Sequence, residues 1–121
     1  MVRAVIVLCL LLAGCGAEEP GGGGSSTNLR VTVDADGPKG AAAPSSREVR
    51  CSDTSGCAAE RVPASAYQPV QPRKACTDIF GGPQTAEVTG TLRGKPVSAR
   101  FSRQNGCEID RWQAAKPLLE P

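Results

Sequence analysis

The six cysteines constrain the fold of this chain more than any other feature of its sequence. Cys9 lies inside an apolar N-terminal run, and Cys15 follows that run. The rest of the chain contains the other four cysteines, Cys51, Cys57, Cys76 and Cys107. An even number of cysteines in an oxidising compartment predicts two disulfides, and the residues alone leave all three pairings open. A metal site is disfavoured, because the chain has no histidine and the spacings lack the paired short intervals of zinc knuckles.

The N-terminus has the organisation of an export signal. Arg3 supplies one positive charge, Ala4–Leu12 is apolar throughout, and small residues precede Cys15. The apolar run is too short for a membrane-spanning helix, which needs about 20 residues. Leu12–Cys15 resembles the lipobox of bacterial lipoproteins, in which the cysteine thiol receives a diacylglycerol. We therefore predict a lipoprotein signal peptide over residues 1–14, lipidation of Cys15, and an extracytoplasmic chain held at the cell membrane by its lipid.

The segment that follows the signal peptide is predicted to be a tether. Residues 15–27 contain a run of four glycines followed by serines, a composition typical of flexible linkers. Residues 28–121 are then long enough for one small domain. The core of this domain must be thin, because the whole chain has one Trp, one Tyr and two Phe. Domains of this size often need disulfides to be stable.

Composition also argues against several functions. Without histidine, the chain lacks the commonest general base and the usual partner of a Ser or Cys nucleophile. The nearby carboxylates Glu108 and Asp110 lie beside Arg111, which favours a solvated structural role. We therefore predict no enzyme, no cofactor and no metal. The basic stretch from Arg93 to Arg103 lacks stacking aromatic residues, so it predicts the outward face of a strand pair and no nucleic-acid binding.

Alternating apolar and polar residues predict a mostly β structure. Leu29–Ala35 has the period of a half-buried strand, and Arg47–Cys51 is a second short strand. Ala86–Leu92 and Val97–Phe101 continue one apolar face across a turn at Gly94, which predicts a β-hairpin. Short helices are predicted at Cys57–Arg61, before Pro63, and at Glu108–Ala115, with Trp112 pointing inward.

A longer pattern covers the region from Cys76 to Trp112. A cysteine opens an exposed loop at Cys76, and the segment Val88–Val97 follows. Phe101-Ser102 and Cys107-Glu108 complete the pattern. Together these segments resemble the C-terminal half of the subtilisin-inhibitor-like family, the serine protease inhibitors of actinobacteria. The similarity is close over about forty residues and looser before them, and the spacing from Cys76 to Cys107 is about one residue longer than in the family.

The resemblance implies an α+β fold, a two-layer sandwich of a roughly five-stranded antiparallel sheet with two short helices on one face. It also implies the pairings Cys51–Cys57 and Cys76–Cys107. Local spacing agrees with the first pairing, since the intervening turn contains Ser52, Asp53, Ser55 and Gly56. Members of the family are typically homodimers through the sheet, which makes a homodimer an expectation for this chain.

The resemblance further implies inhibition by a substrate-like loop after Cys76, with an extracellular serine protease as partner. The reactive bond maps between Asp78 and Ile79, flanked by Thr77 and Phe80. The family usually has a large apolar or basic side chain where this chain has Asp78, and Gly81-Gly82 is expected to loosen the loop. The target can then be subtilisin-like or acidic-specific, and the register of the loop can be shifted. A non-inhibitory structural or binding lipoprotein with the inhibitor fold is the alternative.

Overall fold

The computed structural model describes residues 26–51 and 57–121. The predicted signal peptide, Cys15, nearly all of the predicted tether and the turn predicted at 52–56 lie outside the described residues. Within the described residues, no helix has the length and apolar character needed to cross a membrane.

Four antiparallel strands form one sheet in the order β2-β1-β3-β4. The strands are β1 (Thr27–Asp34), β2 (Ser45–Cys51), β3 (Thr85–Leu92) and β4 (Lys95–Phe101). Buried Leu29 and Val31 alternate with exposed Asn28 and Arg30 along β1, so the predicted alternation is confirmed up to Val31. Val33 is half-buried like its neighbours, and Ala35 lies outside the strand and is exposed. The predicted hairpin is also confirmed, with Ala86 paired to Phe101 at the open end of β3 and β4.

The implied count of roughly five strands is wrong for the described residues, which form four. The connection from β2 to β3 carries prolines at positions 63, 69, 72 and 83. Proline has no backbone N–H to donate, so this connection is poorly suited to a further strand. It forms 3₁₀ turns at Ala58–Arg61 and Ala64–Tyr67. The short helix predicted at Cys57–Arg61 is the first of these turns.

Two helices follow β4, namely α1 (Gly106–Ala114) and α2 (Lys116–Leu119). The predicted helix at Glu108–Ala115 is confirmed as α1, which begins two residues earlier because Asn105 caps it. The Asn105 side-chain oxygen accepts a hydrogen bond from the Glu108 N–H at 2.9 Å. Sequence patterning did not predict α2, which has Pro117 in its first turn.

The helices and 3₁₀ turns pack against one face of the sheet and form the second layer of an α+β fold. Trp112 of α1 points into this core, as predicted, and is 1% exposed. Its indole N–H donates to Glu120 at 2.8 Å. The other buried side chains of the core come from both layers: Leu29, Val31, Ala59, Val62, Ala66, Tyr67, Ala86, Val88, Ala99, Phe101, Ala115, Leu118 and Leu119.

Both disulfide pairings implied by the resemblance are confirmed. The Cα atoms of Cys51 and Cys57 are 5.9 Å apart, and those of Cys76 and Cys107 are 5.3 Å apart. Both distances lie within the usual range for disulfides, about 4.4–6.8 Å. The two bridges differ in reach, because they join cysteines separated by 6 and by 31 positions.

Candidate functional site

The residues that follow Cys76 form a loop that we call the arch, defined as Thr77–Gly81. It lies against the connection between β4 and α1, because its two ends contact Arg103 and Gly106. This connection is at the end of the sheet where Asp34 of β1 pairs with Thr85 of β3. We call it the arch end of the sheet.

The arch is fixed to the domain at both of its ends. On one side, the Cys76–Cys107 disulfide joins it to α1, and the Gly106 N–H donates to the Thr77 carbonyl at 2.9 Å. On the other side, the Gly81 N–H donates to the Arg103 carbonyl at 2.7 Å. The residues between these bonds project from the domain.

Glycines make this close attachment sterically feasible. A Cβ atom on Gly106 would overlap the Thr77 hydroxyl, and one on Gly81 would lie 2.9 Å from the Ile109 side chain. Gly82 has φ +131°, a conformation that side chains rarely adopt. The expectation that Gly81-Gly82 loosens the loop is therefore wrong for Gly81, whose N–H is hydrogen-bonded and whose Cα is packed.

The middle of the arch is exposed and apolar. Ile79 is 61% exposed and Phe80 is 67% exposed, and they are the large exposed hydrophobic residues of the described chain. Thr77 and Asp78 are exposed as well. A single exposed apolar side chain is ordinary, whereas here two lie next to each other on a loop fixed at both ends. Thr77, Asp78, Ile79 and Phe80 are therefore all exposed, and their role as a reactive loop stays a prediction.

The backbone of the arch has one edge bonded to the domain and one edge open. Residues 74–82 run without a turn or bend, and before Gly82 none of them has a positive φ. In an extended chain, the N–H and C=O of successive residues point to opposite sides. The Thr77 carbonyl and the Gly81 N–H bond to the domain, so an extended course of the chain would place the groups of Asp78 and Phe80 on the other edge. Within the described residues, no backbone hydrogen bond engages Asp78 or Phe80.

The carboxylates near the arch differ in their surroundings. Glu108 pairs with Arg111 at 2.8 Å, with both side chains mostly buried. Arg111 also donates to the Ala66 and Arg100 carbonyls and lies over the Phe101 ring. The predicted solvated character is wrong for Glu108, which is paired and mostly buried, whereas Asp110 is exposed.

The structure divides the basic stretch that sequence analysis treated as one unit. Arg93 and Lys95 lie at the β3–β4 turn, which we call the hairpin end of the sheet. Arg100 and Arg103 lie at the arch end, on either side of the last residue of β4. The stretch is therefore not one continuous surface, because nearly the full length of β4 separates its two halves.

Sequence reasoning missed the residues that hold the arch. Arg103 and Gly106 act through their backbone atoms, and such roles leave little trace in side-chain patterns. One usable signal was the order Asn105-Gly106-Cys107, in which a helix-capping residue precedes a glycine and a bridged cysteine.

Comparison with known proteins gives no relative from which a function can be transferred. No family model matches the chain, and neither the curated proteins nor the solved structures include a significant match. The likeness to the subtilisin-inhibitor-like family thus rests on the motifs between Cys76 and Trp112. What it implies about function is a matter for proposal.

Proposed function

We propose that this protein is an extracytoplasmic, membrane-tethered inhibitor of a serine protease, and that the arch is its inhibitory loop. The observation that carries the proposal is the combination of attachment and exposure in the arch. A disulfide and two backbone hydrogen bonds fix its ends, while Ile79 and Phe80 between them are largely exposed.

Preorganisation is the physical reason that such a loop can inhibit. A flexible peptide loses conformational entropy when it enters a protease cleft, at about 0.5–1.5 kcal/mol for each side chain that becomes immobile. The arch has lost much of this freedom already. Its open edge offers the N–H and C=O groups of Asp78 and Phe80, which suits pairing with an extended segment of the cleft.

The attachments also explain how cleavage would be slow and reversible. The resemblance places the reactive bond between Asp78 and Ile79. Cys76 and Thr77 hold the chain before this bond, and Gly81 holds the chain after it. A cut at the bond would leave both new ends held close together, so religation competes with release of the cleaved product.

The start of β1, to which the proposed lipid anchor would be joined, lies at the opposite end of the sheet from the arch. β1 begins at Thr27, and the carbonyl of Ser26 accepts a hydrogen bond from the Gly94 N–H at the hairpin end. A strand of 8 residues is roughly 26 Å long at about 3.3 Å per residue. A chain tethered through Cys15 would thus carry the arch at its far end, where a soluble protease can reach it.

A binding lipoprotein without inhibitory activity is the second candidate, and Asp78 is the observation that favours it. A carboxylate that enters an apolar pocket loses its hydration at a cost of several kcal/mol. The open face of the sheet, which carries Arg30, Glu48 and Glu87, would then be the alternative binding surface. A homodimer through this face would have a polar interface.

The proposal is tested by titrating the mature chain against proteases. Residues 15–121 with Cys15→Ser, both disulfides formed, are titrated against subtilisin, trypsin and a glutamyl endopeptidase. We expect saturable inhibition of at least one enzyme, with slow cleavage at the arch. Phe80→Ala should weaken it, because Phe80 lies on the outer edge, and Lys95→Ala at the hairpin end is the matched control.

The opposite result is also well defined. If none of the three enzymes is inhibited and all of them digest the arch as quickly as a linear peptide, the inhibitor proposal is wrong. Equal weakening by Phe80→Ala and Lys95→Ala would show that inhibition does not occur through the arch.

A further inference from the structure

Resting on the proposed function, we infer that the partner protease has a cationic specificity pocket, and that the Asp78 carboxylate is the group it recognises. The partner would then cleave its substrates after acidic residues.

The orientation of the backbone groups determines which residue of the arch can fill the pocket. A residue whose side chain fills the pocket also pairs its backbone with the cleft. Its N–H and C=O groups must therefore point away from the domain, because backbone pairing supplies affinity and the pocket supplies specificity. Ile79 lies on the same edge as Thr77 and Gly81, which are bonded to the domain. Asp78 and Phe80 lie on the open edge and remain as candidates.

The conformation of the chain after the pocket residue distinguishes Asp78 from Phe80. If Phe80 filled the pocket, the chain after the reactive bond would pass through Gly81, bonded to the domain, and Gly82 with φ +131°. That φ takes the backbone out of the extended form that cleft pairing requires. If Asp78 filled the pocket, Ile79 and Phe80 would follow it in extended conformation with exposed side chains. The geometry therefore selects Asp78.

The charge of Asp78 determines which kind of pocket can accept its side chain. Its side chain is exposed, and within the described residues its carboxylate has no ion pair or hydrogen bond. The full negative charge is thus presented to the partner. An apolar pocket would desolvate this charge without compensation, and an acidic pocket would repel it. Arginine or lysine in the pocket would pair with it through short charge-assisted hydrogen bonds.

Ile79 and Phe80 define the rest of the partner surface. They are large, apolar and exposed, so they require apolar contacts on the side of the cleft that follows the reactive bond. The inferred partner therefore combines a cationic pocket with an adjacent apolar subsite.

The test compares the wild-type protein with charge variants at Asp78 against the three proteases named above. We expect wild type to bind the glutamyl endopeptidase at least about 100-fold more tightly than subtilisin or trypsin. Asp78→Asn keeps the shape and removes the charge, and should weaken that binding by about 10- to 100-fold, the loss of a charged hydrogen bond. Asp78→Lys should transfer inhibition to trypsin, and Asp78→Met should transfer it to subtilisin. Asp110→Asn changes an exposed carboxylate on α1 and should change nothing.

The outcomes distinguish this inference from the proposed function. Tight wild-type inhibition of subtilisin or trypsin, or no effect of Asp78→Asn on the glutamyl endopeptidase, would overturn the inference and leave the inhibitor proposal standing. Inhibition by Asp78→Lys or Asp78→Met alone, with the wild-type arch still cleaved slowly, would do the same, because the arch would be inhibitory without recognition of its carboxylate. If no variant inhibits any of the enzymes, both fail.

Discussion

The two ends of the sheet each carry a disulfide, but they differ in the interactions that accompany it. At the arch end, a disulfide and two backbone hydrogen bonds hold Thr77–Gly81. At the hairpin end, the Cys51–Cys57 disulfide and a backbone hydrogen bond from the Gly94 N–H to the Ser26 carbonyl are accompanied by connections that use side chains. The Arg93 guanidinium pairs with Glu60, and the Arg93 backbone N–H donates to the Thr27 hydroxyl at 3.0 Å.

The difference indicates where the protein needs a fixed backbone. Backbone bonds and disulfides hold a segment in one conformation whatever its side chains are, so the exposed arch residues are free to serve recognition. Exposed side-chain pairs contribute little to stability and tolerate movement. The arch end is thus suited to presenting a loop, and the hairpin end to joining the domain to its N-terminal segment.

The largest expected effect comes from removing each disulfide in turn. In the chain-entropy model, the Cys76–Cys107 bridge contributes about 3.7 kcal/mol to the free energy of unfolding and the Cys51–Cys57 bridge about 2.3 kcal/mol. Cys76→Ser/Cys107→Ser should also abolish inhibition, because it frees one end of the arch. Cys51→Ser/Cys57→Ser changes the hairpin end and should leave inhibition intact. Denaturant unfolding and protease titration measure the two effects.

If both double variants lose inhibition to the same degree while they remain folded, the two ends of the sheet do not differ in their effect on inhibition. Circular dichroism at the assay temperature establishes that each variant is folded. Equal losses would mean that the disulfides act through global stability and not through the position of the arch.

The next effect concerns Tyr67, which joins the two 3₁₀ turns. Its hydroxyl donates to the Ala59 carbonyl at 3.2 Å, and burial raises the pKa of Tyr67 to about 12. Since the unfolded chain has a Tyr pKa of about 10, folding favours the protonated form. Its contribution is fully present below pH 10 and is lost between pH 10 and 12, roughly 2–3 kcal/mol in all.

Tyr67→Phe isolates this contribution from the lysines that titrate in the same range. The variant should lose about 1 kcal/mol at pH 7 with the hydrogen bond, and its stability should fall less steeply than that of wild type above pH 10. Guanidinium unfolding at pH 7, 9 and 11 provides the measurement. Parallel pH curves for the two proteins would show that Tyr67 keeps an ordinary pKa.

A smaller effect tests the contact between α1 and the arch. Gly106→Ala adds a methyl group that overlaps the Thr77 hydroxyl. Alanine has a higher helix propensity than glycine, but the overlap disturbs the hydrogen bond from the backbone N–H at position 106 to the Thr77 carbonyl. We therefore expect the free energy of unfolding to fall by about 1 kcal/mol and inhibition to weaken. Thr77→Ala in the same chain should restore both, which a double-mutant cycle measures. Additive effects in that cycle would show that the two residues are not in contact.

Sequence patterns predicted the parts of the fold that depend on local periodicity. The strands around Leu29, Val88 and Ala99 alternate cleanly, and the helix carrying Trp112 is amphipathic, so each was predicted close to its observed position. The extra strand was wrong because it came from the resemblance, and the proline-rich connection to β3 does not support it. The short helix α2 was missed because its few residues carry no period.

The candidate site was predictable only in part. The exposed loop after Cys76 followed from the motif at that cysteine, since the disulfide implied by the resemblance defines where the loop begins, whereas the reactive role of Thr77–Phe80 stays a prediction. The role of Gly81 was mistaken, because its effect depends on the distance to Ile109 and on a bond to the Arg103 carbonyl, which lies far from it in sequence. Contacts between backbone atoms that are distant in sequence have no signature in composition or periodicity.

The smallest expected effect is at the hairpin end, where Glu60→Gln removes the charge that pairs with Arg93. The Arg93 side chain is 63% exposed, so water and salt screen the pair and its contribution should be about 0.2–1 kcal/mol. Denaturant unfolding at low and at about 1 M salt should show a difference between variant and wild type that disappears as salt rises. Inhibition should not change, because the length of the sheet separates Glu60 from the arch. A loss of inhibition in a variant this stable would mean that the two ends are coupled, and that the fixed backbone of the arch depends on more than its own attachments.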